Sequence, residues 1–276
     1  MIKLKDMSIN SNMFSKKNRV LLSELVKTDF KLRYQGSVLG YLWALIKPLL
    51  MFAILYVVFA KVLRFGGDIP HYPVYLLVGT VIWNFFTECA QQGIHAIEQR
   101  GDLLRKINFP KYIVVVSATS TAVINVLINL CVVIVFALIN GVTPSLSWLL
   151  VPLSLAELYA LALGISLLLG AINVKFRDIG NIWDVITQAL FYAVPIIYPI
   201  SMVSQTSTFA AKIILMNPIA QAIQDIRYNM ITTTTETTWG FVGVQWGLLS
   251  VAIVIAILVI SILYFRKKSK HFAEEV

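Results

Sequence analysis

Along the chain, apolar and polar positions divide into six long apolar runs separated by short charged segments, at about residues 38–63, 73–92, 112–139, 148–172, 183–200 and 244–265. Each is close to the roughly 20 residues a helix needs to cross a hydrocarbon core of about 30 Å. The pattern therefore predicts an all-α polytopic membrane fold with six spans. The runs are too long, and lack the polar alternation, for barrel strands of roughly 9–11 residues. The fifth is the shortest and carries Pro195 and Pro199, which predicts a kink or break near its end. Ahead of the first run, residues 20–35 are periodic in another way. Leu22, Val26, Phe30 and Tyr34 recur at helical spacing with Leu21, Leu25 and Leu32 beside them, and Glu24, Lys27 and Lys31 lie opposite. A basic amphipathic helix of this kind suits a membrane surface. The chain thus divides into an N-terminal segment 1–37, a transmembrane domain 38–265 and a tail 266–276.

Between the last two runs, residues 201–243 are not a plain polar loop. AAKIILMNPIAQAIQDIRYNMI reads as two short, largely apolar helices broken at Asn217-Pro218, with Arg227 in the second. They form either a cap lying on the outer surface or, as favoured here, a re-entrant pair dipping into the outer leaflet. Irregular backbone at that depth is tolerated where protein buries it or where it lines a cavity.

Composition agrees with the pattern. Of 276 residues, 58% are hydrophobic and 13% charged, about half the usual charge of a soluble domain, near 25%. The net charge of +9 does not form a nucleic-acid patch, because it is confined to the segments between runs. Eight Lys and Arg precede the first run, and four, two and four more fall in 93–111, in 173–182 and after Tyr264. The other side holds only Lys61, Arg64, Lys212 and Arg227. The positive-inside rule then places both termini on the cytoplasmic side of the membrane. The first 19 residues show no apolar core of a cleavable signal.

Chemistry within the chain is sparse. No Gly-Lys dipeptide occurs, so no phosphate-cradling loop of the P-loop type is available. His71, His95 and His271 lie apart, and Cys89 and Cys131 have no partner spacing, which excludes a recognisable metal site or disulfide framework. Glu88, Glu157 and Asp184 are the only carboxylates within the runs, each alone or close to a run's end, which disfavours a proton relay. No catalytic, cofactor-binding or metal-binding residue is therefore expected. Four features stand out. Asp29 and Arg33 fall within the apolar arc of the N-terminal helix, as a local i, i+4 pair or as a contact with a partner or gate. Lys47-Pro48 lies inside the first run. Either the span starts near Pro48 with Lys47 reaching the inner headgroups, or Lys47 faces a polar pathway. The 93–111 loop mixes Ile94, Ile97, Leu103, Leu104, Ile107 and Phe109 with charge, as a helix on the headgroups would, or one docking into a groove of a soluble partner. Gly36-x-x-x-Gly40 and Gly243-x-x-x-Gly247 permit close helix approach.

Taken together, TDFKLRYQGSVLGYLWALIKPLL at 28–50, RGDLLRKINFPK at 100–111, VKFRDIGNIWDVITQALFYAVPIIYP at 174–199 and NPIAQAIQDIRY at 217–228 resemble permease subunits of the ABC-2 export family, specifically those that move polysaccharides. The resemblance runs through nearly the whole chain in order, and is closest to permeases for teichoic acids, rhamnose-rich glycans and O-antigens. It implies a homodimer working with two copies of a separate ATPase subunit, which binds ATP and Mg and drives a lipid-linked glycan across the membrane. It implies an interface helix at 20–35 with Asp29, Arg33 and Tyr34 at the gate. Arg100, Asp102, Leu103, Leu104, Arg105, Phe109 and Pro110 would form a coupling helix, and Asn217, Pro218 and Arg227 would belong to paired outer re-entrant helices. A channel at the dimer interface would be lined by the first and fifth spans, whose aromatics are Tyr41, Trp43, Phe52, Tyr56, Phe59, Phe191, Tyr192 and Tyr198. Such rings suit the apolar faces of sugars, although membrane aromatics also serve as interfacial belts. The competing functions are an ABC-2 exporter of drugs or small lipids, a membrane-embedded glycosyl or acyl transferase, which would need paired carboxylates, and an ATP-independent carrier.

Overall fold

Helix α3 (Tyr72–Gln99) runs through the centre of the molecule and is buried along most of its length. The computed structural model describes residues 16–272 apart from Asp68 and Asn108, and no strand occurs among them. Around α3 stand α2 (Gly40–Val62), α5 (Tyr112–Ile139), α6 (Leu146–Asn173) and α11 (Val244–Lys268). These five helices are long and apolar enough to cross a membrane. Helix α1 (Lys16–Tyr34) lies against the start of α5, and α4 (Gly101–Lys106) follows α3. Both sit at the end of the bundle where the basic segments gather, hereafter the basic end.

α3 crosses α6 closely because small residues meet there. A Cβ on Gly93 would overlap the Ser166 side chain, and one on Gly170 would come within 2.9 Å of the Gly93 carbonyl oxygen. Ser166 Oγ bonds across the crossing to Cys89 O at 3.2 Å. Close backbone approach of this kind substitutes for the hydrophobic drive that lipid cannot supply.

Three expectations change. The second span runs two turns further than its apolar run, because Ala90, Ile94 and Ile97 continue its buried face past the polar Gln91-Gln92-Gly93. Residues 93–99 therefore belong to a span and not to a loop. The first span starts at Gly40, so Pro48 lies inside the helix and not in its first turn. Its last turns are π-helical, Tyr56–Val62. The third difference is the fifth run: its helix, α7 (Ile179–Ala193), has 15 residues, about 22 Å at 1.5 Å per residue, short of a hydrocarbon core. Pro195 and Pro199 forbid continuation, and the chain proceeds irregularly until α8 (Ile200–Thr206).

After α8 come α9 (Thr208–Leu215) and α10 (Pro218–Met230). The break falls at Asn217-Pro218, where Asn217 Oδ1 accepts from Ile219 N at 2.9 Å and proline occupies the first helical position. Nearly every residue of α10 is buried, against α3, α6 and α11. A turn at Thr238–Val242 closes over it. Thr238 Oγ1 donates to Leu215 O at 2.6 Å, and Trp239 Nε1 donates to Asp225 Oδ2 at 2.8 Å.

Candidate functional site

At the basic end, α1 is tied to α3 by two ion pairs. Asp29 accepts from Arg100, which caps α4, and Arg33 donates to Glu88, about three turns deeper on α3. The Asp29 and Arg33 side chains thus bridge between helices, which explains two charges in an otherwise apolar arc. The side chain of Tyr34 lies outside the described residues. Glu88 Oε1 also accepts from Gln92 Nε2 at 3.0 Å and Asn125 Nδ2 at 2.6 Å. Thr121 in turn donates to Gln92 Oε1. The carboxylate is therefore the hub of a network spanning α1, α3 and α5, held by charge-assisted bonds.

The 100–111 segment divides its apolar and charged residues between two surfaces. Leu104 and Phe109 are buried in the chain's own core with Leu25, Ile113 and Phe265, and Leu103 packs against the same cluster. Lys111 closes the C-terminal end of α4 by donating to Leu104 O at 3.1 Å, as suits a cation at a helix C-terminus. Asp102, Arg105, Lys106 and Ile107 are exposed, and Pro110 is half-buried. Any partner at this segment would therefore meet charges and Ile107, while Leu104 and Phe109 hold α4 on the bundle.

Sequence reasoning missed a polar stripe on α3. Thr80, Asn84, Thr87, Glu88, Gln91 and Gln92 fall at spacings of 4, 3, 1, 3 and 1 residues, which puts them on one helical face. That spacing was the available signal. It was hidden because each residue was weighed singly against an apolar background. The stripe borders two adjoining cavities. One, about 1110 Å³, lies between α2, α3 and α5, and also receives Trp43, Lys47, Asn125 and Asn129. The other, about 410 Å³, is bordered by Thr187, Gln188, Phe191 and Tyr192 of α7. Met51, Asn84 and Thr87 border both. Gln91 bonds Asp184 of α7, and Asn129 Nδ2 holds α2 by donating to Ala44 O at 3.0 Å.

The eight aromatics expected to line a channel do not form one surface within the chain. Trp43, Phe191 and Tyr192 border the cavities. Tyr41 stacks on Phe30 of α1 at 5.2 Å. Phe52 lies between Tyr56 and Phe136 of α5, and Phe59 packs on Phe65. The Tyr198 hydroxyl donates to Tyr192 O at 3.1 Å.

At the opposite end Arg227 is fully buried. Its Nε donates to Tyr75 O at 3.1 Å, Nη1 to Pro195 O at 2.6 Å and Gln224 Oε1 at 3.0 Å, and Nη2 to Ile196 O at 2.7 Å. Four of its five N–H groups are thereby used. The guanidinium also stacks on the Tyr75 ring, 3.5 Å from the centroid, a favourable desolvated cation–π geometry. Tyr72 donates to Ile197 O at 2.8 Å. Three successive carbonyls of the irregular stretch after α7 are thus satisfied from α3 and α10. Gly79 is required there, since a Cβ would overlap Arg227 Nη2 and stand 3.0 Å from Ile196 O. Among the described residues no group of three or more His, Cys, Asp or Glu could hold a metal ion.

Residues 20–231 match the ABC-2 type transporter family. This chain belongs to that family. Among its relatives, the O-antigen export system permease protein RfbA of Myxococcus xanthus is 30% identical over 261 residues, 94% of this chain and 96% of the relative. The protein of the same name from Klebsiella pneumoniae is 29% identical over 255 residues, 92% of this chain and 94% of the relative. The polysialic acid transport protein KpsM of Escherichia coli is 23% identical over 211 residues, 75% of this chain and 79% of the relative. The ABC-2 match takes in both ion pairs of α1, α4, the stripe on α3 and the Arg227 fork.

Proposed function

We propose that this chain is the permease subunit of an ATP-driven ABC exporter that moves a lipid-linked cell-surface polysaccharide out of the bacterial cytoplasm. The carrying observation is the match to O-antigen export permeases along nearly the whole chain, and the hydrophilic stripe of α3 supports it. A conduit for a glycan needs hydrogen-bonding groups inside an apolar bundle, and α3 supplies them on the face turned toward α2 and α7. The proposed assembly is a homodimer with two ATPase subunits, which bind ATP and Mg. Its transported glycan is of the O-antigen, rhamnose-rich or wall teichoic acid kind. Deleting the gene should remove the glycan from the cell surface and accumulate its lipid-linked form inside. Normal surface display in the deletion strain would refute this reading.

In the same proposal, α7 with the stretch to Pro199 makes a sixth passage, both termini face the cytoplasm, and α8–α10 form the outer re-entrant pair. Buried carbonyls held by Arg227 and Tyr72 suit a chain that turns at membrane depth without exposing backbone to lipid. Single cysteines at Gln99 and Thr234, both exposed, test the arrangement in a background without Cys89 and Cys131. An impermeant maleimide on intact cells should label Thr234→Cys alone, and outside labelling of Gln99→Cys would break the topology.

α4 is proposed to couple to the ATPase through its exposed face. Arg105→Glu with Ile107→Ala should release the ATPase in a pull-down while the permease stays intact, because truncated interface anchors often cost 2 kcal/mol or more, about 30-fold in occupancy. Leu104→Ala should instead lower permease stability by about 2–5 kcal/mol, as buried leucine truncations do. Wild-type recovery of ATPase with the surface variant would remove α4 from the mechanism.

A further inference from the structure

We propose that the cavity between α2, α3 and α5 is a recognition site for the phosphate-linked sugar end of the exported lipid, with Lys47 taking the phosphate and Asn84 a sugar hydroxyl. This rests on the export reading above. The cavity measures about 1110 Å³. Most polar groups on its wall are engaged within the chain: Glu88 by Arg33, Gln92 and Asn125, Gln91 by Asp184, Asn129 by Ala44. Lys47 and Asn84 differ, since neither side chain has a hydrogen-bond or ion-pair partner among the described residues.

Their chemistry limits the ligand. Arg33 and Glu88 neutralise each other, so Lys47 is the uncompensated charge on the wall and the cavity favours an anion. An ammonium meets phosphate as a point charge with three donors. An amide both donates and accepts, which matches a hydroxyl, and Trp43 at the rim offers a ring to the apolar face of a sugar. Asn84 also borders the smaller cavity beside α7, so a sugar held there stands where the two hollows join. A bulk phospholipid headgroup presents the same phosphate without the sugar, and the test separates the two sources.

Purified permease in phosphatidylcholine nanodiscs would be titrated with geranyl phosphoglucose, geranyl phosphate and octyl glucoside. The joined probe should bind most tightly. Lys47→Gln should weaken both phosphate probes about tenfold, the scale of one charge-assisted contact, and leave octyl glucoside unchanged. Asn84→Ala should weaken both sugar probes and leave geranyl phosphate unchanged. Equal affinities across wild type and both variants would overturn the site, while gene deletion still reports on export independently. Displacement of geranyl phosphoglucose by phosphatidylglycerol added to the nanodiscs would also overturn it, by showing a general headgroup site. Normal surface glycan in the deletion strain would instead remove the export reading beneath it.

Discussion

Replacing Arg227 by methionine should abolish recovery of folded permease from the membrane. Methionine fills a similar volume but donates nothing, which leaves the carbonyls of Pro195 and Ile196 without a donor and takes one donor each from Tyr75 O and Gln224 Oε1, the latter still reached by the Tyr75 hydroxyl at 3.2 Å. A buried acceptor that loses its partner costs about 1–3 kcal/mol, and the two orphaned carbonyls together remove a large share of the ~5–15 kcal/mol that holds a typical domain. Tyr75 also loses the cation on its ring. Arg227→Lys should fail nearly as badly, because an ammonium on a flexible stem cannot replace a planar fork that reaches acceptors on three segments. The measurement is the monodisperse fraction and melting temperature of a fluorescent fusion after mild detergent extraction. Wild-type values for the methionine variant would show that the fork does not secure this end of the fold.

Arg227 also shows where sequence reading stopped. Its four acceptors lie on α10 itself, α3 and the stretch after α7, and three of them are backbone carbonyls. A carbonyl leaves no mark on residue identity, so nothing in the sequence pairs Arg227 with Pro195 or Tyr75. The five long spans were legible because each is an apolar run of the length a bilayer demands. The fifth run was only partly so: Pro195 and Pro199 announced a break, but the apolar residues between them do not show what path the chain takes before α8. The second span was cut short in the sequence because Gln91-Gln92-Gly93 looks like a boundary. The polar side chains there face a cavity and Gly93 faces α6, so the helix passes through. Asp29 and Arg33 stood out as charges in an apolar arc. Their partners on α3 are far away in sequence and became visible only when the helices were placed together.

Reversing the Asp29–Arg100 pair should abolish export in each single variant and restore it in the double one. Asp29→Arg puts two guanidinium groups where a carboxylate and a guanidinium now meet, and Arg100→Asp does the same with two carboxylates. The side chains are 20% and 25% exposed, so the pair lies between surface bridges, near 0–1 kcal/mol, and buried ones, where losing a partner costs about 3–5 kcal/mol. A penalty near 2 kcal/mol is reasonable, about 30-fold in the population with α1 docked on the α3–α4 junction. In the proposed exporter this junction passes the movement of the ATPase to α3, whose Glu88 is held by the same helix α1 through Arg33. Loosening α1 should therefore uncouple ATP hydrolysis from glycan display without removing the permease from the membrane. Surface glycan would be quantified by lectin or antibody binding, and ATPase activity measured on the purified complex. Recovery in Asp29→Arg/Arg100→Asp shows that the contact itself carries the effect. Losses that simply add in the double variant would assign the two residues separate roles and remove the strap from the mechanism.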